Sequence, residues 1–144
     1  MDSPMTLERF EAEAARFTGA LAPHAGGATL VALSGELGAG KTAFTKAAAK
    51  ALGVEDSVTS PTFVLEKIYA LPAGAPFKRF AHIDAYRLTS GAELAPLGFG
   101  ELMRDPDTLI FLEWPEKVAD ALPPPAARVS IEAQNDGART ITYG

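Results

Sequence analysis

The chain has 144 residues, 47% of them hydrophobic and 22% charged, with a formal net charge of −5. It has no cysteine and only two histidines, which excludes disulfides, thiolate zinc sites and a histidine-built metal centre. Its 13 Lys and Arg residues are scattered, so it lacks the basic stripe with which autonomous nucleic-acid binders displace counterions. A single domain over 1–144 is expected from the length. No apolar run approaches the roughly 18 residues that span a bilayer, so no membrane association is expected. The opening "MDSPMTLERFEAEAARF" is acidic and amphipathic, without a basic n-region or an apolar h-region. It reads as a helix and not as a secretory leader, and the chain is expected to be cytoplasmic.

In chain order, Thr6 is placed to cap a first helix, with Arg9 where a capping box would need Glu. Leu7, Phe10, Ala14, Phe17 and Leu21 recur at helical spacing, and Pro23 and Gly26-Gly27 are expected to end the helix. "ATLVALS" (28–34) is a continuous apolar run suited to a buried central strand. The alanine-rich "KTAFTKAAAKALG" reads as a helix stopped by Gly53. "FVLEKIYAL" (63–71) and "KRFAHID" (78–84) flank the turn cluster "PAGAP" and read as an antiparallel hairpin. Residues 91–105 read as short helical pieces broken by Pro96 and Gly98, and "TLIFLEW" (108–114) as a second buried strand. A short helix is expected at 115–121, before "PPP" (123–125). The tail reads as two strands joined through Asp136-Gly137. The predicted class is α/β: a P-loop NTPase-like three-layer sandwich on a mixed sheet, parallel at the centre and antiparallel at the flanks.

Between the first strand and its helix lie Gly35, Glu36, Leu37, Gly38, Ala39, Gly40, Lys41 and Thr42, which fit G-x-x-x-x-G-K-[ST] without a mismatch. In that pattern the glycines turn backbone N–H groups toward phosphate oxygens. The helix that starts at Lys41-Thr42-Ala43 adds the positive end of its dipole. Lys41 would reach the β- and γ-phosphates, and the Thr42 hydroxyl would ligate Mg²⁺. A second acidic group for the metal is expected at the end of a neighbouring buried strand, where Glu113 follows Leu109–Leu112. Trp114, next along, reads either as a cover over the nucleotide or as a core anchor. Asp84, in "HIDAYRL", is placed to polarise the attacking water or hold a metal-bound water; alternatively it pairs with Arg87 and caps a helix. His82 reads as a half-buried strand residue and not as a ligand. Thr62, in "SPTF" (60–63), is a candidate switch threonine that senses the γ-phosphate. The Thr6 cap and the turn from Asp136 to Arg139 are the places to look for adenine and ribose contacts. There is no N-K-x-D to select guanine. These residues describe a small Mg²⁺-dependent nucleotide hydrolase or switch, with ATP as the expected ligand.

The set "GELGAGKT" (35–42), "SPTF" (60–63), "HIDAYRL" (82–88) and "LEWPE" (112–116), in this order and spacing, closely resembles the TsaE family, small ATPases of bacterial tRNA threonylcarbamoyladenosine biosynthesis. The resemblance implies two protein partners, TsaB and TsaD, and an ATPase that supports repeated turnover of their complex. It implies Mg²⁺ held by Thr42 and Glu113, Asp84 and Trp114 at the active site, and Ser60, Pro61 and Thr62 in a switch-like segment. A small-molecule or nucleoside kinase, and a nucleotide-sensing scaffold that does not turn ATP over, are the alternatives.

Overall fold

The computed structural model describes residues 4–36, 40–54, 66–134 and 137–144. Helix α1, Leu7–Gly19, starts as its sequence dictates: the Thr6 side chain accepts from Arg9 N at 3.3 Å. Phe10 and Ala14 are buried, but Leu7 is exposed, and the helix stops at Gly19, short of Pro23. Leu21 therefore packs from the connection that follows the helix. Strand β1, Thr29–Ser34, runs into α2, Lys41–Ala51. The hairpin is β2, Glu66–Ala70, and β3, Arg79–Asp84. Two short helical pieces follow, a 3-10 helix at Gly91–Leu97 and α3 at Phe99–Met103. Gly98 divides them as expected, whereas Pro96 is accommodated inside the 3-10 turn. Strand β4 is Thr108–Glu113. The helix expected at 115–121 is a shorter 3-10 turn, Pro115–Val118. The tail hairpin is β5, Ala127–Ala133, and β6, Arg139–Tyr143; Asp136 lies outside the described residues.

The six strands form one sheet in the order β2-β3-β4-β1-β5-β6. Pairs β3–β4, β4–β1 and β1–β5 are parallel, and the outer pairs β2–β3 and β5–β6 are antiparallel. The parallel centre with antiparallel flanks matches the expected class.

Side chains alternate across each strand, and the two faces carry separate cores. Val31, Leu33, Phe80, Phe111 and Val129 join α1 and α2 in one cluster. Leu30, Ala81, Ile83, Ile110 and Leu112 join α3 and the 3-10 turns in the other. A relay of rings ties α2 to the sheet: Phe10–Phe44 at 5.9 Å, Phe44–Phe111 at 6.1 Å and Phe111–Phe80 at 5.1 Å. Each such pair contributes about 0.5–1.5 kcal/mol beyond its burial. Phe44 stands three residues after Lys41, so this packing fixes where the first turn of α2 points.

On β2 only Tyr69 is buried, and Ile68 is exposed. The apolar alternation read there is overridden because β2 is an edge strand.

Candidate functional site

Alternation puts His82 and Asp84 on the Phe80 face of β3, and Glu113 on the Phe111 face of β4, which is the face covered by α2. Asp84 and Glu113 are register partners across the parallel pair. Two carboxylates from strands far apart in sequence thus meet at one end of the sheet. Glu113 is 4% exposed and Asp84 is half-buried. Asp84 Oδ1 accepts from Tyr86 N at 3.0 Å, a turn of its own backbone that holds the side chain at the strand end. Burial pushes the Asp84 carboxyl above the usual aspartate range, and the Glu113 charge adds to the rise. The Tyr86 hydrogen bond and the Lys41 charge oppose it.

Lys41 is buried beside this pair. Its ammonium donates to the carbonyl oxygens of Gly35 and Glu36, the latter at 2.9 Å, and lies 4.3 Å from the centroid of the Trp114 ring. Burial pulls its pKa below the usual lysine value, against Glu113, Asp84, Glu116 and Glu36, which favour the charge. Trp114 has φ 62° and ψ 54°, the one non-glycine residue with positive φ among those described. Its N–H donates to Leu33 O at 3.2 Å, joining the ends of β4 and β1. Its ring packs partly on the core of Ile83 and Leu112 and meets Tyr86 at 5.0 Å. The anchor reading of Trp114 is thus met, and the same ring lies against the Lys41 ammonium.

The start of α2 differs from that of α1. Its N-cap, Gly40, has φ 115°, makes no side-chain capping bond, and the first turn has no acid. Helix N-termini leave four N–H groups without intrahelical partners. Gly40 has no side chain to answer them, an arrangement open to an anion. Ala43 turns its side chain toward the core, so only its backbone is available. Thr42 is half-buried in the same turn. Carboxylate and hydroxyl oxygens are hard donors that suit Mg²⁺. Among the described residues no group of three or more His, Cys, Asp or Glu could cage a metal. Mg²⁺ is commonly held by only one or two carboxylates, with phosphate oxygens completing its shell.

Leu37, Gly38 and Ala39 of the loop, and Ser60, Pro61 and Thr62 of the switch segment, lie outside the described residues. The two places flagged for base contacts come together: Met5, beside the Thr6 cap, exchanges both backbone hydrogen bonds with Arg139, at 2.7 and 3.0 Å. The Arg139 side chain lies against Gly40, where an added Cβ would be 2.5 Å from its Nε.

His82 departs from its sequence reading. It is fully buried, and its Nε2 lies 2.6 Å from Glu113 Oε2. No local pattern signals a contact between residues 31 apart; only the β3–β4 register creates it.

A cavity of about 630 Å³ adjoins the loop at Gly35 and Glu36, with Trp114, Glu116 and the Ser130–Ala133 end of β5 on its other sides. Among the described residues its charged lining is Glu36, Glu116 and Glu132, with no Lys or Arg. That lining disfavours a triphosphate in this cavity.

The fold and its site have relatives. Residues 8–141 match the family described as "Threonylcarbamoyl adenosine biosynthesis protein TsaE". The chain belongs to the TsaE family. It is 41% identical to the TsaE protein of Streptomyces coelicolor, over 72% of this chain and 68% of that one. It is 36% identical to TsaE of Treponema pallidum, over 79% and 80% respectively. The crystal structure of Bacillus subtilis YdiB superposes with a TM-score of 0.75 at 26% identity, covering 99% of this chain and 86% of that one. This TsaE-family chain therefore has a place in tRNA threonylcarbamoyladenosine biosynthesis.

Proposed function

We propose that this protein binds Mg²⁺·ATP at the Lys41 face of its loop and hydrolyses it slowly, in support of TsaB- and TsaD-like partners. The observation that carries this reading is the meeting of Asp84 and Glu113, in register, beside a buried lysine at an uncapped helix start. The amides of residues 38–42 and Lys41 would hold the phosphates. Thr42 and Glu113 would hold Mg²⁺, which supplies charge neutralisation across the β- and γ-oxygens. Asp84, held by Tyr86 N, would orient the attacking water; Thr62 would sense the γ-phosphate. Adenosine would lie toward Met5 and Arg139.

Among the described residues, the cavity beside the loop offers no cation to a second, anionic substrate. A kinase for an anionic metabolite needs cations beside its acceptor, and the cavity next to the loop is acidic. The partner-dependent reading accounts for this, since the protein's substrate is then another protein's conformation. Isolated turnover is expected to be slow, because a missing charge-stabilising arginine alone is worth about 10³–10⁵ in rate. The net charge of −5 makes strong autonomous tRNA binding unfavourable, so tRNA would be met through the complex.

Reconstitution tests the proposal. With TsaB, TsaD, tRNA, ATP and Mg²⁺, adding this protein should increase both phosphate release and multiple-turnover modification. Equal yields with and without it would refute the partner-dependent reading. Label from ATP appearing in a metabolite instead of free phosphate would favour the kinase.

A further inference from the structure

We infer that His82 is a positioning residue for the metal site: its Nε2–H fixes the Glu113 carboxylate in the orientation that Mg²⁺ requires. The inference rests on the proposed reading of Glu113 and goes one residue beyond it. Both side chains are almost wholly buried, 1% and 5% exposed, and their contact is 2.6 Å. A charge-assisted hydrogen bond this short is stronger than a neutral one. The His82 Nδ1 atom is buried without a hydrogen-bond partner among the described residues. A proton there would go unanswered, so the ring proton belongs on Nε2, where Glu113 accepts it.

The backbone explains why this contact can be rigid. His82 is the register partner of Phe111 and is fully buried on the sheet face that Phe80 and Phe111 share. A fully buried imidazole cannot swing away without displacing close-packed neighbours. A carboxylate has two oxygens, so the bond to Oε2 leaves the second one for the site. Without His82, Glu113 would be a buried carboxylate with free rotation about its last bond. Hydrogen-bond partners of metal ligands commonly set metal affinity by about 10–100-fold.

Trp114, the single tryptophan, adjoins Glu113 and contacts Lys41, so its fluorescence reads the site without requiring turnover. ATP is titrated in EDTA, and Mg²⁺ is then titrated onto the ATP-saturated protein. Three variants separate geometry from packing. Glutamine can place an amide N–H near the Nε2 position, asparagine places it near Nδ1, and alanine has none. In EDTA all three should bind ATP within a few-fold of wild type. The Mg²⁺ midpoint should rise about 10–100-fold in His82→Ala and His82→Asn, and return to within a few-fold in His82→Gln. Equal Mg²⁺ midpoints in all four proteins would overturn the inference. So would a loss in His82→Gln as large as in His82→Ala, or a loss of ATP binding in EDTA that matches the loss in Mg²⁺. If wild type itself gives no ATP response, the phosphate-loop reading falls and this inference with it.

Should the variants not fold, the wild-type protein answers by NMR. His24 is exposed, so His82 is the source of a solvent-protected imidazole N–H. That resonance should move when Mg²⁺ is added to the ATP complex and stay still when ATP is added in EDTA. No movement with Mg²⁺ would also overturn it.

Discussion

The Lys41 ammonium sits 4.3 Å from the centre of the Trp114 ring while it donates to the carbonyls of Gly35 and Glu36. The lysine that would meet the γ-phosphate is thus held on the loop's own backbone and on an aromatic face. A cation over an indole gains about 0.5–2 kcal/mol. Phosphate must offer more than that to move it. ATP binding should therefore change Trp114 fluorescence, and Lys41→Met should abolish both the change and the binding. A full ATP-dependent fluorescence change in Lys41→Met would contradict this arrangement.

Asp84→Asn should retain ATP affinity and lose hydrolysis by about 10²-fold or more, as expected when a group that handles the water is removed. It should also stabilise the metal-free protein at neutral pH. Burial and Glu113 raise the folded pKa of Asp84, so its ionised form opposes folding. That cost is absent below the unfolded pKa near 3.8 and grows as pH rises through the higher folded value. The melting-temperature advantage of Asp84→Asn should therefore be present at pH 7 and vanish in acid. An advantage that is the same at both pH values would count against a shifted Asp84.

Glu13 gives the opposite sign, far from the site. It accepts from Arg16 Nε at 2.8 Å and also from Arg16 Nη2 and the Tyr143 hydroxyl, tying α1 to β6. The Arg16 contact, above all, holds its pKa down at about 2. Its stabilisation is whole above the unfolded value of 4.5 and is lost as pH falls toward 2. Because the Arg16 partner is largely exposed, about 0.2–1 kcal/mol is expected from Glu13→Gln at pH 7. Denaturant curves at pH 7 and pH 2 should show that difference shrink; a gap that widens in acid would refute it.

Two glycines separate fold from function. Gly27 has φ 140°, and an added Cβ would lie 2.4 Å from the Met103 carbonyl oxygen. Gly40 has φ 115° and abuts Arg139. Each alanine substitution should cost about 1–3 kcal/mol in stability. Only Gly40→Ala should also abolish ATP binding at temperatures where both variants remain folded. Loss of ATP binding in folded Gly27→Ala would show that the site is not confined to the loop.

The candidate site was legible in the sequence where its residues follow local order. The loop from Gly35 to Thr42, the strand ending in Glu113 and the strand ending in Asp84 each carry their own signal within a few residues. Burial was misread where the answer depends on neighbours. Leu7 fits the apolar period of α1 yet is exposed, and Ile68 lies on an edge strand. The His82–Glu113 contact has no local signature, because it exists only once β3 and β4 lie parallel in one particular register. Met5 and Arg139 meet for the same reason, through a backbone bridge between the chain's two ends.

The most direct test of the account is a crystal structure with a non-hydrolysable ATP analogue and Mg²⁺. The account predicts phosphates on the amides of residues 38–42, Lys41 moved from the Gly35 and Glu36 carbonyls onto the γ-phosphate, and the metal between Thr42 and the Asp84–Glu113 pair. Analogue bound instead in the acidic cavity beside Glu36, Glu116 and Glu132, or carboxylates turned away from the metal, would contradict it.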